Sequence, residues 1–246
     1  MKRGMLSAAL RLFTVQGSWN YDRMIGVGLG ETVAPLLRDL PGGRDGERYR
    51  EALARASGYF NAHPYLAGVA AGALARAEHD DVPGERIERL RLALVGPLGS
   101  VGDRLVWAGT LPAAAGIGLA LAATAPVGVG AAVFLALHNA VHVVLRWWGL
   151  GSGWRHGMGV ARALAAPGLV VALRVVTPIA GFSLGVALPL VARSLTQGFD
   201  HSLLLGTAAV GLVALVLQLR LAPTLGALRI GLLAAGVAIL GGLLWR

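Results

Sequence analysis

Residues 126–148, PVGVGAAVFLALHNAVHVVLRWW, decide the fold class of this chain. Arg146 is their only charged side chain, and their length matches the roughly 20 residues with which an α-helix crosses a bilayer. Further apolar segments of this kind lie at about 105–123, 158–176, 178–195, 203–221 and 226–245. The sequence therefore predicts an all-α integral membrane protein.

The composition of the 246 residues supports a membrane setting. Hydrophobic residues make up 55% of the chain and charged residues only 14%, and the mean hydropathy is +0.64, well above that of ordinary soluble domains. Cysteine is absent, which excludes disulfides, thiolate metal sites and cysteine nucleophiles.

The net charge of +9 first suggests a nucleic-acid partner, but the distribution of charge argues against one. Residues 105–246 contain eight arginines and one acidic residue, Asp200, whereas the charges before them nearly balance. Arginines such as Arg146 and Arg155 flank apolar segments, where they can reach lipid headgroups and mark cytoplasmic helix ends. We expect a multi-pass protein that contacts the lipid bilayer and no nucleic acid.

Charged residues are frequent up to about residue 104, and long apolar segments follow it. This change predicts two regions. Residues 1–104 are expected to form amphipathic helices that are partly cytoplasmic or interfacial, and residues 105–246 a transmembrane helical region. Helices of the first region are predicted at 5–13, 47–58, 64–78 and 85–94.

Several apolar segments of the second region contain helix-breaking residues. Pro112, Pro167 and Pro178 each stand near glycines. Broken membrane helices of this kind are tolerated where protein or a water-filled cavity receives the freed backbone groups, and in transporters they often surround the substrate. We expect four to six spans or half-spans, some of them re-entrant.

Four motifs carry a family resemblance. They are QGSWNYDRM (16–24), YFNAHPYLAG (59–68), VGPLGSVGDRLVWAGTL (95–111) and HNAVHVVLRWWGLGSGWRHG (138–157). In order and spacing they resemble the IID subunit of mannose/fructose/sorbose-type sugar phosphotransferase (PTS) permeases. The resemblance implies a bacterial inner-membrane protein that forms the sugar pathway with a IIC subunit, in a higher oligomer of IIC–IID pairs. It also implies docking of phosphorylated IIB, which donates phosphate to the sugar, with no catalytic nucleophile in this chain.

Asp103 and Asn139 are the leading candidate site residues. Asp103 follows a glycine-rich stretch before an apolar segment, where it is predicted either to cap a helix start or to line the sugar route. Asn139 lies in the apolar 126–148 segment, where an unpaired polar group costs on the order of 2–7 kcal/mol. His138 and His142 lie one turn apart, but HxxxH alone is weak evidence for a metal, and interhelical hydrogen bonding is favoured.

Trp19, Asn20 and His63 complete the candidate set for substrate or translocation. Trp19 and Asn20 combine an aromatic face with a polar group, which suits a sugar, although membrane-interface anchoring is the alternative for Trp19. His63 precedes Pro64, where a helix cap is the alternative role. We predict no cofactor and no metal.

Two departures from the family pattern leave the function open. The chain has Leu111 directly before Pro112, where related proteins place a basic residue, and it has Arg104 where a small polar residue is usual. A working transporter subunit, a non-transporting paralogue that serves as a membrane partner or regulator, and an unrelated membrane scaffold are therefore the three hypotheses. The motif set argues against the third.

Overall fold

A computed structural model of the protein describes residues 4–195, and in this range the chain is mostly helical. Met1–Leu190 form one compact unit, and Val191–Arg246 form a second unit, most of which lies outside the described residues. The α-helices are α1 (Met5–Arg11), α2 (Gly26–Val33), α3 (Glu47–Ala56), α4 (Ala67–His79), α5 (Gly84–Gly102), α6 (Leu111–Thr124), α7 (Val127–His156), α8 (Ala161–Leu164) and α9 (Pro167–Leu195).

Three helical stretches of the described range are long and apolar enough to cross a membrane. They are Gly84–Thr124, Gly128–Gly159 and Pro167–Ser194. The predicted all-α membrane fold is confirmed. The predicted spans at 203–221 and 226–245 lie outside the described residues.

The structure corrects two predicted helix boundaries. The segment at 105–123 does not begin a new helix, because α5 continues through a π-helical segment, Asp103–Thr110, into α6 across residue 104. The segments at 158–176 and 178–195 are not separate spans, because α9 runs through Pro178. A proline removes one backbone hydrogen bond, which a packed membrane helix tolerates.

The centre of the compact unit is α4, whose side chains are buried on nearly all sides. Its most extensive partner is α7. A methyl group on Gly72 would lie 2.3 Å from the carbonyl oxygen of Leu150, and one on Gly153 would lie 2.1 Å from that of Val69. The two helices therefore approach through small residues on both sides, as membrane helices often do.

Helices α2, α3 and α5 pack against α4, α1 packs against α2 and α7, and these four helices form the polar part of the unit. Glu78 of α4 is only 5% exposed and accepts two hydrogen bonds from Arg55 of α3, at 3.0 and 2.9 Å. On α1, Ala8 and Ala9 face the core, whereas Leu6 and Leu10 are exposed. The exposed apolar face fits the interfacial position predicted for this helix.

Candidate functional site

The candidate site begins at the π-helical segment Asp103–Thr110. Pro112 has no N–H to donate to the carbonyl of Ala108, so the regular hydrogen-bond pattern cannot continue there. Asp103 and Trp107, one turn apart on this segment, are both exposed. π-Helical segments of this kind occur frequently at functional sites.

The prediction that Asp103 caps the start of a helix is wrong. The helix is continuous from Gly102 into Asp103, and the Asp103 side chain makes no capping hydrogen bond. The glycine- and proline-rich stretch resembles a turn in sequence, but Pro97 lies inside α5. The carboxylate of Asp103 is therefore not needed to satisfy a helix end.

His63 lies beneath this segment and is only 3% exposed. Its ring packs against Trp107, with ring centroids 5.5 Å apart. Gly102 permits the close approach, because a methyl group there would lie 2.2 Å from the Cβ of His63. His63 Nδ1 accepts the N–H of Tyr65 at 3.2 Å, and Nε2 has no partner among the described residues.

The protonation state of His63 follows from this environment. Burial lowers the pKa of His63 to about 4; the Asp103 carboxylate opposes this shift, and the positive charge of Arg146 adds to it. The ring is therefore neutral at physiological pH. Because Nδ1 accepts a hydrogen bond, the proton of the neutral ring is on Nε2.

Tyr65 connects His63 to the histidines of α7. The Tyr65 hydroxyl and His138 Nε2 are hydrogen-bonded at 3.0 Å, and the Tyr65 ring stacks on His142 with centroids 4.0 Å apart. Interhelical hydrogen bonding was favoured for this pair; His138 does bond outside its own helix, but its partner Tyr65 lies in the non-helical segment before α4. Within residues 4–195, no group of three or more His, Asp or Glu side chains is arranged to hold a metal ion.

Arg146 is a site residue that the sequence analysis missed. It was predicted to reach the lipid headgroups, but it is only 3% exposed and donates to the backbone carbonyls of Leu12 and Pro64. Its guanidinium carbon lies 5.1 Å from the centre of the Tyr65 ring and 5.3 Å from that of Phe13. The residue joins the end of α1, the segment before α4, and α7.

A helical spacing could have revealed Arg146. It follows His138 and His142 at intervals of four residues, so the three polar side chains share one face of α7. Polar residues within an apolar helix mostly face other protein segments, which predicts burial for all three.

The structure does not join the remaining predicted residues to this cluster. Asn139 is exposed on α7, where its Nδ2 donates to the carbonyl of Leu135 at 2.7 Å. Asn20 Oδ1 accepts the N–H of Arg23 at 2.9 Å within a turn, and Trp19 packs edge-on against Tyr21. Among the described residues, neither Trp19 nor Asn20 makes a hydrogen bond or ring contact with His63. Their roles stay predictions.

The arrangement is suited to binding. It combines an exposed carboxylate and an exposed indole with a buried, neutral imidazole behind them. Such a set can hydrogen-bond and stack against a polar ligand. Three helical stretches long and apolar enough to cross a membrane define the class of the molecule, a helical integral membrane protein.

Comparison with known proteins identifies the family. The sequence profile of the PTS system mannose/fructose/sorbose family IID component matches residues 1–196. The chain belongs to this family.

Individual relatives agree with this assignment. The chain is 30% identical over 169 residues to the fructose permease IID component of Bacillus subtilis (strain 168), covering 67% of this chain and 60% of the relative. It is 32% identical over 162 residues to the sorbose-specific EIID component of Klebsiella pneumoniae, covering 63% and 58%. The chain thus spans less than two thirds of the length of these relatives.

The fold resembles that of a solved transporter. The cryo-EM structure of the mannose transporter ManYZ in complex with microcin E492 matches with a TM-score of 0.59 at 25% sequence identity. The match covers 74% of this chain and 68% of the solved chain.

Proposed function

We propose that this chain is the IID component of a mannose-family, phosphoenolpyruvate-dependent sugar phosphotransferase system. It forms the sugar translocation unit with a IIC subunit and docks phosphorylated IIB at the bacterial inner membrane. The single structural observation that supports this proposal most is the π-helical segment, which exposes Asp103 and Trp107 above the buried His63.

The five predicted site residues take different parts in this proposal. Asp103 accepts hydrogen bonds from sugar hydroxyls, and His63 supports the indole of Trp107, on which a sugar ring can stack. Asn139, on an exposed face of a membrane helix, suits a hydrogen bond with a helix of the IIC subunit. Trp19 and Asn20 lie in an exposed turn, where they can contact the interface or a sugar.

The chemistry of phosphate transfer is assigned to the partner. The phosphoryl group moves from the phosphohistidine of IIB to a sugar hydroxyl, and this chain contributes the route and the docking surface without a nucleophile of its own. IIC–IID pairs assemble into a higher oligomer in this proposal.

A non-transporting paralogue is the second candidate function. Arg104 supports it, because this arginine is exposed beside Asp103 in the π-helical segment, at a position where the resemblance to the family leads us to expect a small polar residue. In that case the chain would still bind a membrane partner but would not carry sugar.

Substitution of Asp103 tests the proposal. We expect Asp103→Asn to assemble with IIC like the unchanged chain, because the carboxylate caps no helix, and to lose sugar uptake by about tenfold or more, because a charge-assisted hydrogen bond is worth about 1.5–3 kcal/mol. Uptake is measured in cells that express the chain with IIC and IIB.

The matched control is Asp45→Asn, which changes an exposed acid in the polar region that makes no ion pair within residues 4–195. Its uptake should equal that of the unchanged chain. Equal uptake by Asp103→Asn and Asp45→Asn would remove Asp103 from the sugar route.

A further inference from the structure

The membrane-spanning helices line a cavity that is open on its outer side and separate from the His63 cluster. Its volume is about 540 Å³, and it lies between the π-helical segment, α7 and α9. Residues that define its walls are Leu105, Thr110, Val141, Leu145, Leu169 and Ala172. No residue of the His63–Tyr65–His138 cluster contributes to it. The wall is apolar except for the hydroxyl of Thr110 and the indole N–H of Trp148.

We propose that this cavity binds an acyl chain of an anionic phospholipid. Its volume lies within the roughly 300–1,000 Å³ typical of small-molecule sites. Water is a poor occupant, because a buried water needs about two to four polar partners and only Thr110 and Trp148 bring polar groups to an otherwise apolar wall. The lining segments belong to helices long enough to span a bilayer, whose hydrocarbon is the solvent available to fill the cavity.

The hydroxyl of Thr110, unpaired within residues 4–195, favours a ligand that carries a hydrogen-bond acceptor, as a phospholipid does at the ester end of each acyl chain. Thr32 and Thr124 donate their hydroxyls to the carbonyl four residues earlier, both at 2.9 Å. Thr110 ends the π-helical segment, and its Oγ1 is buried without a partner among the described residues. A phospholipid ester carbonyl is an acceptor that can satisfy this hydroxyl once a change of the Thr110 rotamer turns it towards the cavity.

Charge at the ends of the lining segments favours an anionic headgroup. Arg104 precedes Leu105, and Arg162 lies one turn before Ala166, which also lines the cavity. Both arginines are exposed, and neither makes an ion pair within the described part of the chain. Asp103, also exposed, precedes Arg104 and is the only acidic residue from 103 to 195, so basic residues predominate along these segments. Basic sites between membrane helices recognise anionic lipid headgroups in this way.

The size of the cavity argues against a protein helix as the occupant. A helix about 10 Å across would fill this volume with little more than one turn of roughly 5.4 Å. A spanning helix of a partner could therefore enter only in part, whereas a single flexible acyl chain can enter along its length. The proposal does not depend on sugar transport.

Photo-crosslinking of the full-length protein tests this site. The protein is reconstituted in vesicles that contain phosphatidylglycerol with a diazirine in one acyl chain, and crosslinked peptides are identified by mass spectrometry. We expect crosslinks in the peptides that contain residues 140–148 and 166–172. Crosslinks spread evenly over all apolar helices, as from bulk lipid, would overturn the proposal.

Two phenylalanine substitutions on α7 provide a matched pair. Ala140 lines the cavity, and Ala136, also exposed and one turn earlier, does not. Ala140→Phe should lower the crosslinking yield at 166–172 roughly tenfold, because the ring occupies the space of the acyl chain, and Ala136→Phe should leave it unchanged. Equal yields from the two variants would refute the cavity as a lipid site.

Two further measurements distinguish an anionic phospholipid from a neutral one and from a protein partner. The same label in phosphatidylcholine should give a clearly lower yield, and an equal yield would overturn the assignment of an anionic headgroup. Crosslinking should persist when the protein is purified with IIC. Its loss there would assign the cavity to the protein partner and overturn the lipid proposal.

Discussion

Gly153→Ala should destabilise the protein by separating α4 from α7. The added methyl would lie 2.1 Å from the carbonyl oxygen of Val69 and 2.9 Å from the nitrogen of Ala73, both of them backbone atoms. An ordinary contact between carbon and a carbonyl oxygen is about 3.3–3.6 Å, so the helices must move apart by roughly 1 Å. Overpacking of this kind costs about 1–3 kcal/mol.

Gly151→Ala is the control for this experiment, since it makes the same change in the same helix at a position where the added methyl would have no atom of another described segment within 4 Å. It should be neutral, or stabilising by up to about 1 kcal/mol through the higher helix propensity of alanine. Thermal unfolding in mild detergent, followed by tryptophan fluorescence, should show Gly153→Ala melting about 2–12 °C below the unchanged chain, at roughly 2–4 °C per kcal/mol. Equal melting temperatures for the two variants would refute the close α4–α7 contact.

Two more predictions concern ionisable groups outside the spans. Because burial lowers the pKa of His63 from 6.5 to about 4, the folded state favours the neutral ring. The preference for the neutral ring contributes on the order of 3 kcal/mol to the free energy of unfolding. This contribution is intact above about pH 6.5 and is lost as the pH falls towards 4. The melting temperature should fall less between about pH 6.5 and 4 in His63→Gln than in the unchanged chain. An identical pH dependence of the melting temperature would contradict the burial of a neutral ring. Glu78→Ala should cost about 3 kcal/mol, because it leaves Arg55 without its buried partner. Glu51→Ala, which removes the exposed partner of Arg55 at 3.6 Å, should cost less than about 1 kcal/mol, and equal losses in a denaturant or thermal titration would argue against a special role for the buried pair.

The fold class could be predicted from the sequence because it depends on properties that are local to each segment. The apolar 126–148 run is long enough for a membrane span whatever surrounds it, and it lies within α7. Helix boundaries were less predictable, since a proline near glycines is compatible with both a turn and a continuous membrane helix. Pro97 and Pro178 both lie inside helices, because packing and neighbouring backbone groups compensate for the missing hydrogen bond.

The candidate site was only partly predictable because its contacts join distant parts of the chain. Asp103 and His63 were singled out separately, but the sequence gives no sign that Gly102 allows the two segments to touch. Arg146 was placed at the headgroups by its position near the end of an apolar run. Its burial depends on carbonyls from Leu12 and Pro64, which are set by tertiary packing.

The most direct test of the proposed function is sugar transport by a defined system in vesicles. This chain, a IIC subunit and phosphorylated IIB are reconstituted, and uptake and phosphorylation of labelled mannose, fructose and sorbose are measured with and without the chain. We predict that at least one of these sugars is taken up and phosphorylated only when the chain and IIC are both present. A stable complex with IIC that moves none of them, or transport that is equally fast without this chain, would contradict the account.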